Sequence, residues 1–198
     1  MKEVIIIDSG GANLASLRYA LERLGARAHV SSDSAAIAAA ARVILPGVGS
    51  ARDAMRRLAA SGLAARLPSL AQPVLGICLG MQLLYRASEE GATPCLGVLP
   101  DTVRRLPSTP GLPVPHMGWN QLSPCADDPL MESVPAGAHV YFVHSFAAPV
   151  TAATRATTHY GVELSALVRH RNFWGTQFHP ERSGGAGARI LANFLEVE

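Results

Sequence analysis

The chain has 198 residues, 48% of them hydrophobic and 16% charged, with a formal net charge of +2. That composition excludes a disordered chain, and the length suits one domain, 1–198, with no Pro/Gly/Ser-rich linker to divide it. The basic residues are spread along helical stretches and Lys2 is the only lysine, so the electrostatic footprint of a nucleic-acid binder is missing.

In chain order, strand and helix signals alternate through the first half. Residues 4–8 read as a strand whose run Val4-Ile5-Ile6-Ile7 stops at Asp8, too short for a membrane span or a signal peptide. Residues 13–24 read as a helix, because Leu14, Leu17, Leu21 and Leu24 form one apolar stripe. A strand at 28–30, a short Ala-rich helix after Asp33, a strand at 43–45 and a helix at 51–60 follow. Residues 73–77 fit a buried central strand, and the helix carrying Met81, Leu83 and Leu84 begins near Gly80. This alternation predicts an α/β fold with a mostly parallel, twisted central sheet and helices on both faces.

From 97 to 177 the pattern changes to short strands at 102–106, 118–122, 139–143, 164–170 and 173–177, expected as a partly antiparallel extension of the sheet. The prolines of segment 107–115 hold a loop extended. Gly184-Gly185-Ala186-Gly187 lacks the spacing of a phosphate-binding motif and is expected as a flexible surface loop, before a closing helix at 187–197.

The chemistry centres on Cys78 in Gly76-Ile77-Cys78-Leu79-Gly80. A reactive side chain on a tight strand-to-helix turn needs small neighbours, which the two glycines supply, and a helix N-terminus favours the thiolate. His179-Pro180-Glu181 follows the β-prone run 173–178. If that segment is extended, Glu181 projects to the same side as His179 and reaches the imidazole edge that Cys78 does not use. Nucleophile, base and orienter are then complete. Taken singly, Cys78 reads as a small core hydrophobe and His179 as an ordinary surface or core residue; their joint placement at strand ends favours catalysis.

Attack on an acyl carbon creates an oxyanion that needs aligned backbone amides. Leu79 supplies one, and Pro46-Gly47-Val48-Gly49, through Val48 and Gly49, supplies another. In doubly wound sheets such sites lie beyond the carboxyl ends of the strands, where Cys78, the 47–49 loop, the Ser9-Gly10-Gly11 loop and His179 all fall. Cys95 and Cys125 are expected to be inert. No cysteine or histidine set has metal-ligand spacing, so no metal site is expected, and an odd cysteine count fits the reducing cytoplasm.

These motifs resemble the class I (triad) glutamine amidotransferases. Gly76-Ile77-Cys78-Leu79-Gly80-Met81-Gln82 is similar to their nucleophile motif, His179-Pro180-Glu181 to their His-Glu pair and Pro46-Gly47-Val48-Gly49 to their oxyanion loop. Within the family, His116-Met117-Gly118-Trp119-Asn120 and Tyr141-Phe142-Val143-His144-Ser145-Phe146 are most similar to the glutaminase subunits of imidazole glycerol phosphate synthase.

The resemblance implies a flavodoxin-like fold, no cofactor, and hydrolysis of L-glutamine through a Cys78 thioester. It also implies substrate contacts at Gln82, His144, Ser145 and Phe146, and a heterodimer with a (β/α)8-barrel cyclase that receives the ammonia. Asn13, Trp119, Tyr141 and Arg182 match positions near the interface with that partner. The first loop, Ser9-Gly10-Gly11-Ala12-Asn13, departs from the family's usual glycine spacing. A glutaminase serving another synthase and a free-standing cysteine hydrolase are the alternative readings; the first is disfavoured by the 116–120 stretch, and the second leaves Gln82 and the 141–146 segment unexplained.

Overall fold

The computed structural model describes residues 2–8, 14–108 and 110–197. The first half runs β1 (Glu3–Ile7), α1 (Leu14–Arg23), β2 (Arg27–Ser31), α2 (Ser34–Ala39), β3 (Val43–Gly47), α3 (Ala51–Ala60), α4 (Leu63–Arg66), β4 (Val74–Cys78) and α5 (Leu79–Leu83). There follow β5 (Tyr85–Ser88), β6 (Thr93–Pro94), β7 (Leu99–Arg105), β8 (His116–Gln121), β9 (Ser123–Pro124), β10 (His139–His144) and β11 (Phe146–Ala147). The chain ends with β12 (Thr154–His159), β13 (Glu163–His170), β14 (Phe173–Thr176) and α6 (Gly184–Glu196).

The central sheet has the order β2-β1-β3-β4-β14-β13-β12-β9, parallel from β2 to β14 and antiparallel beyond. Side chains alternate across its strands, so two cores form. Ile6, Ile44, Leu75 and Trp174 point to the face covered by α1 and α6, through Leu17, Leu21, Ile190 and Phe194. Ile7, Val43, Leu45, Val74 and Phe173 point to the face covered by α2, α3, α4 and α5, through Ile37, Ala54, Leu58, Leu63 and Met81. Helices on both faces follow from strands apolar on both sides. Asp33 and Ser50 cap α2 and α3, each accepting a backbone N–H of the first turn. Among the described residues no helix is long and apolar enough to cross a membrane.

The antiparallel strands do not all extend the main sheet. β12, β13 and β9 do; β8 and β10 form a separate ribbon, and β11-β7-β5-β6 a separate small sheet. The helix after Cys78 is short because Tyr85 onward pairs in parallel with β7 instead of continuing the helix. Residues 184–187 are not a loop: they are the first turn of α6. Gly187 packs on the backbone of the preceding turn, where a Cβ would run into the Pro180 carbonyl oxygen, so close approach rather than flexibility calls for glycine.

Candidate active site

Cys78 closes β4 and caps α5 with φ +53° and ψ −109°, a conformation that L residues avoid. The surrounding glycines make this turn possible. A Cβ on Gly76 would lie 2.7 Å from the Gly80 carbonyl group and the Met81 nitrogen, and one on Gly80 would collide with the Leu45 carbonyl oxygen. The strand and helix can therefore cross only through bare backbone. The strain is placed at the one residue whose side chain must stand clear of the strand.

His179 follows β14 and sits, like Cys78, at the carboxyl end of the sheet. Its backbone N–H donates to the Tyr141 carbonyl at 2.9 Å. Its ring Nδ1 lies 2.8 Å from Glu181 Oε1, with both side chains more than nine-tenths buried. The segment is not extended as the spacing suggests: Pro180 opens a one-turn 3-10 helix, Pro180–Arg182, and Glu181 reaches the imidazole across that turn. Ring Nε2 is buried and has no hydrogen-bond partner among the described residues. Burial acts to lower the imidazole's proton affinity, but the Cys78 sulfur and the Glu181 carboxylate outweigh it and push the pKa up to about 10. Once the imidazole has taken the Cys78 proton, the arrangement keeps it on His179, ready for a leaving group.

The sulfur, His179, Leu79, Val48 and Gly49 line one cleft of about 400 Å³, together with Gln82, Glu90, Pro115, Val143, His144, Ser145 and Phe146. The residues singled out for nucleophile, base, oxyanion loop and substrate contact therefore converge on one cavity, with Glu181 just behind His179. Val48 is exposed and also borders a smaller cleft of about 130 Å³, lined by Leu17, Pro46 and Arg182 among others, and it shares the border between the two clefts with Val143 and His179. Gly49 takes φ +86° in open space, which lets the chain turn away after Val48.

Glu90 escaped the sequence reading. It is the one carboxylate lining the cleft among the described residues, and its Oε2 accepts the Ala51 N–H at 2.7 Å at the start of α3. A ligand with an ammonium group finds its counter-charge here. No periodicity or motif marks Glu90, since its role depends on α3 and the 90–92 turn meeting in space.

The far wall is held by a directional chain of hydrogen bonds. His144 Nδ1 lies 2.9 Å from the Phe146 carbonyl, which can only accept, so Nδ1 carries the hydrogen and Nε2 accepts. His116 Nδ1, 3.0 Å away, must donate to that Nε2, and His116 Nε2 accepts from Asn120 Nδ2 at 3.3 Å. Burial disfavours a proton on either ring, lowering the pKa of His116 to about 4 and, as the chief cause, that of His144 to about 3. His116 is also stacked between Phe142 and Tyr160, with centroids 4.8 and 4.0 Å away.

Beside His179 lies an exposed apolar patch. Trp119 on β8 is 57% exposed and pairs with Tyr141 on β10, their rings 6.1 Å apart. The Arg182 guanidinium sits 4.7 Å over the Tyr141 ring, and Met117 is exposed on the same strand. Three of the residues expected at a partner interface are thus contiguous, while Asn13 and the Ser9-Gly10-Gly11 loop lie outside the described residues.

Comparison with known proteins gives the chain's family. The family described as glutamine amidotransferase class-I matches residues 5–197. A protein of Xylella fastidiosa (strain Temecula1 / ATCC 700964), named imidazole glycerol phosphate synthase subunit HisH, is 55% identical over 198 residues, covering 100% of this chain and 99% of its own. A protein of the same name from Xanthomonas oryzae pv. oryzae (strain MAFF 311018) is 54% identical over 197 residues, covering 100% and 98%. Among solved structures, a glutamine amidotransferase has a TM-score of 0.74 at 20% identity, covering 98% of this chain and 99% of its own. PurLQS from Thermotoga maritima has 0.73 at 20%, covering 98% and 97%. These two establish the likeness of fold.

Proposed function

Since the chain belongs to the class-I glutamine amidotransferase family, we propose that Cys78, His179 and Glu181 are its catalytic triad, and that it works as the glutaminase subunit of an imidazole glycerol phosphate synthase in histidine biosynthesis. The carrying observation is Cys78 on a strained turn, sharing one cleft with His179 of the buried His179–Glu181 pair and with Glu90, the one carboxylate lining it among the described residues.

In this reading the α-ammonium of L-glutamine is drawn to Glu90, and the 144–146 segment together with Gln82 borders the rest of the molecule. Cys78 Sγ attacks the side-chain amide carbon, and the oxyanion is met by the Leu79 amide and by an amide of the Val48–Gly49 peptide stretch. His179 protonates the departing ammonia, leaving a γ-glutamyl thioester. It then takes a proton from the water that hydrolyses the thioester to glutamate, while Glu181 holds the ring's orientation.

The subunit name borne by the relatives implies a second subunit. The finer reading is a (β/α)8-barrel cyclase docked on Trp119, Tyr141 and Arg182 in a heterodimer, which takes up the ammonia. The whole chain, 1–198, acts as one amidotransferase domain, in the cytoplasm. The exposed Val48, poised between two clefts, supports a loop whose amide turns into the site when the partner docks. Moving an inactive-to-active ratio from 1:99 to 99:1 takes roughly 5.5 kcal/mol of differential binding. Glutaminase activity measured for the lone chain, for the complex with the cyclase, and for the complex with its nucleotide ligand tests this. Activity rising across the three supports the reading, and equal rates in all three favour a free-standing hydrolase.

A further inference from the structure

Gln177 lies between β14 and His179, is fully buried, and belongs to none of the motifs discussed above except by adjacency. Its carboxamide orientation follows from its neighbours. The Phe146 carbonyl can only accept, so the group of Gln82 that lies 2.7 Å from it must be the Nε2 amine. The second hydrogen of that amine then faces Gln177 at 3.0 Å, where it requires an oxygen, so Oε1 of Gln177 points at Gln82. The remaining end of Gln177, Nε2, is thereby turned to Cys78 Sγ, 3.9 Å away.

On its other side the sulfur faces the Val143 carbonyl oxygen at 3.8 Å, to which the thiol can donate. When the Cys78 proton moves to His179 Nε2, that carbonyl becomes an unfavourable neighbour for a negative sulfur. Gln177 Nε2 supplies an N–H donor at the same atom. A donor that is long against a thiol shortens and strengthens against a thiolate, because charge-assisted hydrogen bonds are about twice as strong as neutral ones.

We propose that Gln177 is a catalytic residue that stabilises the Cys78 thiolate through its Nε2–H donor, with Gln82 and the Phe146 carbonyl fixing which end of its carboxamide faces the sulfur. The inference rests on Cys78 being the nucleophile. The test therefore reads the sulfur directly, whether or not glutamine is turned over.

Iodoacetamide alkylation of Cys78 is followed by peptide mapping as a function of pH in the full chain, with exposed Cys125 as the internal control. Gln177→Glu keeps an oxygen for Gln82 but replaces the donor, and Gln177→Met removes it. Both are expected to slow Cys78 alkylation at pH 7 by about tenfold or more and to displace its pH–rate profile to higher pH, with Cys125 unchanged. In the complex with the cyclase they lower kcat and leave KM for glutamine near its original value. Superimposable Cys78 profiles for the variants and the unaltered chain overturn the proposal. If neither variant folds, the Gln177 side-chain amide is followed by NMR in the unaltered protein: its resonance should move as Cys78 titrates, and an amide signal that stays fixed through that titration overturns the proposal equally.

Discussion

His179 Nδ1 and Glu181 Oε1 lie 2.8 Å apart across a single turn begun by Pro180, so the proposed base and orienter are assembled within three consecutive residues. Cys78, the proposed nucleophile, is by contrast delivered by a different strand. The pair is also nearly dry, which makes each charge weigh more on the other.

The first prediction follows from that pair. Burial opposes the His179 proton while Cys78 and Glu181 favour it, so removing either favourable partner lowers the midpoint from about 10. Glu181→Gln and Cys78→Ala should each move the His179 titration down when followed by NMR. Glu181→Gln keeps a hydrogen-bond acceptor for Nδ1–H, so it should reduce turnover less than Cys78→Ala, which removes the nucleophile outright. An unmoved titration in Glu181→Gln contradicts the electrostatic role.

Selective labelling separates the three cysteines. A glutamine analogue with an electrophilic carbon at the amide position should modify Cys78 and spare Cys95 and Cys125. Burial pushes the Cys95 thiol up to about 11, and neither Cys95 nor Cys125 lines the cleft. Cys78→Ala and Cys78→Ser should be folded and inactive. An adduct mapped to either other cysteine ends the assignment.

Glu90→Gln is expected to raise KM for glutamine about tenfold or more with a smaller change in kcat, because it removes the cleft's counter-charge for an ammonium group. The amide oxygen can still accept the Ala51 N–H, so the thermal midpoint should change little. Steady-state kinetics in the complex with the cyclase decides it, and an unchanged KM would remove Glu90 from the substrate's surroundings.

The neutral histidines make stability depend on pH with a definite sign. Their folded-state values, about 4 for His116 and about 3 for His144, lie below the ordinary histidine value. The stability they confer is therefore fully present above about pH 6.5 and is lost as pH falls through those folded values, at up to about 1.4 kcal/mol per pH unit for each ring. Urea unfolding between pH 4 and 7 should show this slope. His116→Phe, which keeps a ring between Phe142 and Tyr160, should reduce it. A slope that is the same in the variant would show that His116 is not buried neutral.

The sequence alone determined the parallel half of the sheet, the helices on both of its faces, and the nucleophile turn. Runs such as 43–45 and 73–77 are apolar on every residue, and glycines on both sides of Cys78 leave room for little other than a tight strand-to-helix crossing. The proposed triad was legible because its chemistry needs particular residue types at strand ends. The register of the antiparallel half was not legible, because strands as short as Thr93–Pro94 and Phe146–Ala147 carry too few residues to state a partner. Only the tertiary structure decided that β8 and β10 form their own ribbon, that Glu90 reaches the cleft, and that Gln177 turns its amide to the sulfur. Each of these depends on which segments meet in space: the flip of Gln177 is fixed by Gln82 and a carbonyl at Phe146, residues remote in the chain whose hydrogen-bonding capacities interlock only once the sheet has brought them together.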